Sequence, residues 1–223
     1  MLEKELRTYD EKRKELLPDG GKFVVIAGDK ILGIYTEYEE ALQVGYTEYG
    51  LNPFLVKRIE QDKASLPVRP ENQCSVPRRK MTVPITPLGP VTLIGVGVSQ
   101  VRRKALQLIN REFPARRAAS ALLDTGSSGT MVDSAIISTL GLAPRDTTRL
   151  ITPSTGSKAV DLYVYDLSIW LLGSQPGDTL EILTQAIGTN LKRHGVGMLL
   201  GRDILADCIM LYNGASKTCT LSF

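Results

Sequence analysis

The sequence is poor in the residues that most often carry chemistry. Its 223 residues include a single histidine, His194, a single tryptophan, Trp170, and three cysteines, Cys74, Cys208 and Cys219. A Ser-His-Asp triad and a zinc site both need bases or ligands that one histidine and three unclustered cysteines do not supply. Neither a metal nor a cofactor is therefore expected. The odd cysteine count suits reduced thiols in a reducing compartment. No apolar run approaches the length of a bilayer span, and the start, Met1-Leu2-Glu3-Lys4-Glu5, lacks the apolar core of a signal peptide. A soluble, cytoplasmic protein with no membrane partner is expected. Strong charge is missing too, since the formal net charge is only +3. The basic residues Arg102, Arg103, Lys104, Arg111, Arg116 and Arg117 do gather in one stretch. A solvated helix face explains them more simply than a surface for nucleic acid or an acidic partner, so no nucleic-acid partner is expected.

What is present divides into two parts. A chain of this length can bury a proper core in one ordinary domain plus a small one. Near the start, Phe23-Val24-Val25-Ile26 and Ile31-Leu32-Gly33-Ile34-Tyr35 flank Ala27-Gly28-Asp29-Lys30, which predicts a hairpin whose glycine supplies the positive backbone angle of the turn. Thr36 with Glu39 three residues on predicts a reciprocal capping box at the start of a helix, and Gly50 its end. That helix places Tyr38, Ala41, Leu42, Gly45, Tyr46 and Tyr49 on one face, where the tyrosines read as core and rim packing. Phe54-Leu55-Val56 supplies a third strand. Residues 1–59 thus form a small α+β domain, a charged helix Glu3–Leu16 followed by ββαβ. Over about residues 15–59 it resembles small bacterial N-terminal domains of unassigned function, a likeness that implies no chemistry. Residues 60–80 carry Pro67, Pro70 and Pro77 among polar residues and predict an extended linker.

Residues 81–223 turn β-rich. Val91–Val98 is a strand candidate, and the short apolar run Ala121-Leu122-Leu123 passes directly into Asp124-Thr125-Gly126-Ser127-Ser128-Gly129. A carboxylate at the end of a buried strand needs hydrogen-bond partners, because its desolvation is otherwise costly. Gly126 allows a sharp turn that brings amides to face the carboxylate, and Thr125, Ser127 and Ser128 add hydroxyls. Three specified residues recur by chance in such a chain at a rate of roughly a few per cent, so Asp-Thr-Gly needs context. A second apolar strand ending in glycine supplies it: Val196-Gly197-Met198-Leu199-Leu200-Gly201, then Arg202-Asp203-Ile204-Leu205 as a short helix.

At these residues the chain resembles the retroviral-type, or retropepsin-like, aspartic proteases, as a bacterial-like member. Ala121–Gly126 is similar to that family's active-site strand and loop, and Leu199–Leu205 to its second apolar-apolar-glycine element and following helix. Leu150–Ser157 followed by Leu162–Leu172 has the outline of its flap hairpin. Cys219–Phe223 is similar to the strand that builds its dimer interface. The resemblance implies a mainly β fold with a closed barrel, and an endopeptidase that hydrolyses peptide or protein substrates without a covalent intermediate. It implies Asp124 as the catalytic carboxylate, Thr125, Gly126 and Ser127 as the active-site loop, and Ser154, Thr155 and Gly156 as the substrate-binding flap. Leu200, Gly201, Arg202 and Asp203 become structural support. One motif per chain implies a homodimer whose two Asp124 carboxylates share a proton across a two-fold axis. The sequence departs from the family in placing Ser127 and Ser128 after Asp-Thr-Gly. Ser127 suits the pepsin-like pattern, in which that hydroxyl bonds the catalytic carboxylate. Arg202 loses its usual acidic partner, for which Asp133 or Asp203 are the substitutes. Gln100–Ala119 reads as an insertion.

Two rival readings stand beside this one. An apolar strand followed by Asp-x-Gly-Ser-Ser also resembles the phosphate loop of actin-like and sugar-kinase ATPases, although only about a hundred residues follow Asp124. A protease fold used only for peptide binding or dimerisation is the other. Elsewhere His194 reads as a loop residue, Trp170 as packing on the outer face of a strand, and Cys208 and Cys219 as small core or interface residues.

Overall fold

The computed structural model describes residues 2–60, 79–150, 160–175 and 177–223. Two compact units result, and neither is contiguous in sequence.

The first unit begins with α1 (Glu3–Leu16), then β1 (Phe23–Ala27), β2 (Lys30–Tyr35), α2 (Tyr38–Tyr49) and β3 (Leu55–Arg58), with sheet order β2-β1-β3. Gly28 (φ +61°) makes the hairpin turn and Gly50 (φ +60°) ends α2, its N–H bonding Tyr46 O at 2.9 Å. The capping box does not form. Glu37, one residue later than expected, is the N-cap, and no side chain caps the helix. On one side of the sheet Leu2, which precedes α1, and Tyr9 and Leu16 of α1 pack on Val24, Ile26, Leu55 and Ile59. The turn ties α1 down as well, because Gly28 N donates to Glu5 Oε1 (3.0 Å) and Thr8 Oγ1 donates to Gly28 O (2.9 Å). α2 covers the other side with Ala41, Leu42 and Tyr46, all buried with Phe54.

Two later segments belong to this unit. One carries α3 (Gln100–Leu108), which meets α2, and the other carries β8 (Pro144–Leu150) and the start of β9 (Val160–Leu172). The basic run is not a single helix face. Arg102, Arg103 and Lys104 lie on α3, whereas Arg111, Arg116 and Arg117 follow it, Arg117 opening the next strand.

The second unit holds β4 (Lys80–Thr86), β5 (Gly89–Val98), β6 (Arg117–Leu123), β7 (Met131–Asp133), α4 (Ser134–Thr139), the rest of β9, β10 (Thr179–Thr189), β11 (Met198–Leu200), α5 (Arg202–Leu205), β12 (Ile209–Asn213) and β13 (Thr218–Ser222). The pairing β5-β6-β11-β7-β10-β9 returns to β5, so six strands close into a barrel. The protein is mainly β with the closed barrel expected. Period-two alternation fills it: Ala119, Ala121 and Leu123 of β6 face inward, as do Leu167, Ile169 and Leu171 of β9. Trp170 lies half-buried on the other face of β9, across Gly95 and Gly97 of β5, with the Arg116 guanidinium 5.9 Å from its ring.

β13 pairs with β12 on one side and β4 on the other. The C-terminal strand therefore offers no free edge. The outer strand is β12, where Ile209, Leu211 and Tyr212 are all more than half exposed. Among the described residues no helix is long and apolar enough to cross a membrane.

Candidate active site

β6 and β7 are consecutive strands but not neighbours. β11 lies between them, parallel to β6 (Leu123↔Leu200) and antiparallel to β7 (Leu199↔Met131). Residues 124–130 must therefore pass around the end of β11. Asp124 N–H closes the ladder on Leu200 O at 2.9 Å, and Arg202 N–H bonds Ser127 O at 3.0 Å. Gly201 sits directly under the loop. A Cβ there would stand 2.5 Å from the carbonyl carbon of Gly129, so only glycine lets the two backbones approach this closely.

The loop itself is a tight turn, with Ser127 N–H on Asp124 O at 3.2 Å. Gly126 N–H donates to Asp124 Oδ1 at 2.9 Å, the backbone amide contact that the glycine was expected to provide. Among the described residues this is the only hydrogen bond of the Asp124 carboxylate. Asp124 is half-buried, and Thr125, Gly126 and Ser128 are exposed. The Ser127 hydroxyl does not reach the carboxylate. It donates to Gly129 O at 2.7 Å, because the loop turns back on itself there.

Asp203 behaves differently. Its two oxygens accept from Thr130 N (3.0 Å) and Thr130 Oγ1 (2.9 Å), and Thr130 Oγ1 in turn accepts from Gly201 N (3.2 Å). Asp133 caps α4 through Ala135 N (2.9 Å) and accepts from Leu191 N (2.7 Å). Both candidates for the lost partner of Arg202 are thus bound to backbone or hydroxyl donors, and the Arg202 side chain is exposed. Leu200 is buried in the barrel. Ser154, Thr155 and Gly156 lie outside the described residues.

Sequence reading did not single out Thr130, which is fully buried and links both turns. No periodicity marks it. Asp133 just before Ser134 was readable as a helix cap. The other reactive candidates are quiet. His194 is exposed, but it ends a short 3-10 helix, Lys192–His194, rather than lying in a loop. Burial with Asp207 nearby pushes the Cys208 thiol up to about 11, where it is no nucleophile at neutral pH. No cluster of metal-binding side chains occurs among the described residues.

The chain matches no family model and no curated protein. Among solved structures it is similar to a retropepsin-like aspartic protease from Rickettsia conorii, at a TM-score of 0.38 and 14% identity over 65% of this chain and 90% of that one. The closed barrel stands on the strand pairings described above, and a likeness at this level adds nothing to them.

Proposed function

We propose that the protein is an aspartic endopeptidase that acts as a homodimer, each chain contributing Asp124. The observation that carries the reading is the Asp124 carboxylate itself. It sits at the end of a barrel strand, oriented by Gly126 N–H, on a loop fixed by β11, and among the described residues no other group donates to it. In the dimer the two carboxylates share one proton, since like charges about 3 Å apart do not both ionise. The ionised carboxylate takes a proton from a water while the protonated one polarises the scissile carbonyl. Water oxygen bonds to the carbonyl carbon, and the proton then passes to the departing amine as the C–N bond breaks.

The phosphate-loop alternative fits less well, because the Gly126 and Ser127 amides both turn back onto Asp124. For a second copy, one strand edge in the barrel unit is that of β12, where Ile209, Leu211 and Tyr212 are exposed. Thr125, Gly126 and Ser127 form the loop around the carboxylate, and β8 and β9 are the arms of the flap. The direct test is cleavage of unstructured peptides by the purified protein and by Asp124→Asn. The variant is expected to fold normally and to lose turnover; undiminished cleavage would end the proposal.

A further inference from the structure

α3 carries an apolar stripe that its own unit covers only in part. Val101, Ala105 and Leu108 recur at the spacing of one helical face, the pattern of a helix packed on a neighbour. The neighbour is α2, in the same unit. Cover runs out along the stripe: Val101 is 4% exposed, Ala105 is half-buried and Leu108 is 81% exposed. Ile109, the next residue, is 52% exposed. Two large aliphatic side chains in water are unfavourable, and they do not sit on a frayed end. Asn110 takes the left-handed conformation (φ +52°), its N–H bonds Gln107 O at 3.0 Å, and Arg111 N–H bonds Leu106 O at 2.9 Å. These two bonds are the closure of a Schellman terminus, with asparagine where glycine is usual. Leu108 is therefore held out on a finished helix end.

Leu108 borders a groove of about 450 Å³ between the two helices. Tyr46 of α2 and Val101 and Ala105 of α3 give it an apolar floor, while Glu39 of α2 and Lys104 of α3 stand on its two banks. Both charged side chains are exposed, and among the described residues neither has an ion-pair partner. The groove thus has an acidic bank, a basic bank and one projecting apolar side chain.

Such a face is complementary to itself. A two-fold axis through the groove lays the α3 side of one chain on the α2 side of the other. Lys104 of each chain then faces Glu39 of the other, Leu108 of each enters the other's apolar floor, and every contact is made twice. A ligand of a single charge sign, such as an acidic peptide or an anionic bilayer, would suit Lys104 and be repelled by Glu39.

We propose that the α2–α3 groove is a self-association surface, taken by a second copy of this chain with Leu108 as its anchor. The surface lies in the first unit and does not depend on the aspartic protease reading. A dimer made through the barrel unit would be joined by it into a larger assembly.

The test is the mass of the full-length protein by sedimentation, with circular dichroism as the check on folding. Leu108→Asp is expected to fold, because the side chain it replaces is exposed, and to halve the mass of the wild type. Lys104→Glu and Glu39→Lys should each weaken association about tenfold or more, since each sets like charges together twice across the axis. Mixed in equal amounts, these two variants should associate as the wild type does, because each supplies the charge that the other lacks. Wild-type mass in Leu108→Asp overturns the inference and leaves the shared Asp124 site standing, whereas a wild type of single-chain mass overturns both. A mixture that associates no better than either variant alone also overturns it. So does a wild type that sediments with phosphatidylserine vesicles through Leu108 while its mass in their absence is the same as that of Leu108→Asp, because the face would then be a membrane surface.

Discussion

Two turns in the barrel unit begin alike and end differently. β6 and β11 run parallel and in register, and each leaves the sheet at the same level into a turn that carries a carboxylate. The Asp203 carboxylate is committed on both oxygens to buried Thr130, and so to the architecture. Among the described residues the Asp124 carboxylate has a single donor, the Gly126 N–H. One scaffold thus holds a structural carboxylate beside one that has capacity left for chemistry. Asp146 in the N-terminal unit marks a third condition, partly buried and paired with the Lys57 ammonium group. The number and kind of partners separate these three roles, not the residue type.

Substitutions can break or sharpen this contrast. Gly201→Ala should have the largest effect, because the obstructing atoms are Gly129 backbone and cannot swing away. A loss of about 3 kcal/mol or more in urea unfolding is expected, together with loss of any activity. An unchanged midpoint would show that the turns are not packed as closely as described. Lys57→Met should cost about 3 kcal/mol at neutral pH, the scale for uncovering a buried charge. That cost should shrink in acid. Burial pushes the Asp146 carboxyl above its ordinary value of 3.8, and Lys57 and the Thr147 amide only partly pull it back. With the folded value raised, the stabilising contribution is present below the unfolded value and lost as pH rises through the folded one. Removing Lys57 raises the folded value further, so the variant loses most where Asp146 is ionised. Unfolding curves from pH 3 to 8 check the sign, and a cost that does not vary with pH would contradict it. Asp203→Ala should cost less, about 2 kcal/mol, for the charge-assisted bonds to Thr130. It should leave Asp124→Asn as the more damaging change for activity and the milder one for stability.

Much of this was legible in the sequence where one local signal decided the outcome. The hairpin at Gly28, the helix end at Gly50 and the strand–glycine–helix of Met198–Leu205 all follow from neighbouring residues. So does the Gly126 amide facing Asp124. What was not legible depends on distant partners. The Ser127 hydroxyl was expected at the Asp124 carboxylate, but loop curvature rather than sequence directs it to Gly129 O. Thr36 and Glu39 have the capping spacing, yet the helix begins a residue later. β8 escapes notice because its strand character comes from pairing and from Lys57 and Phe54, not from an apolar alternation of its own. The C-terminal strand is apolar enough to be an interface, but β4 and β12 already occupy both of its edges.

The central claim is that one functional site needs two chains, each giving Asp124. Subunit mixing tests it most directly: wild type at fixed concentration is equilibrated with increasing Asp124→Asn chain, and peptide cleavage is followed. A shared site predicts a progressive fall in activity as wild-type chains are drawn into mixed dimers. Activity that stays constant at every ratio, with exchange of subunits verified, would mean that each chain works alone and would contradict the account.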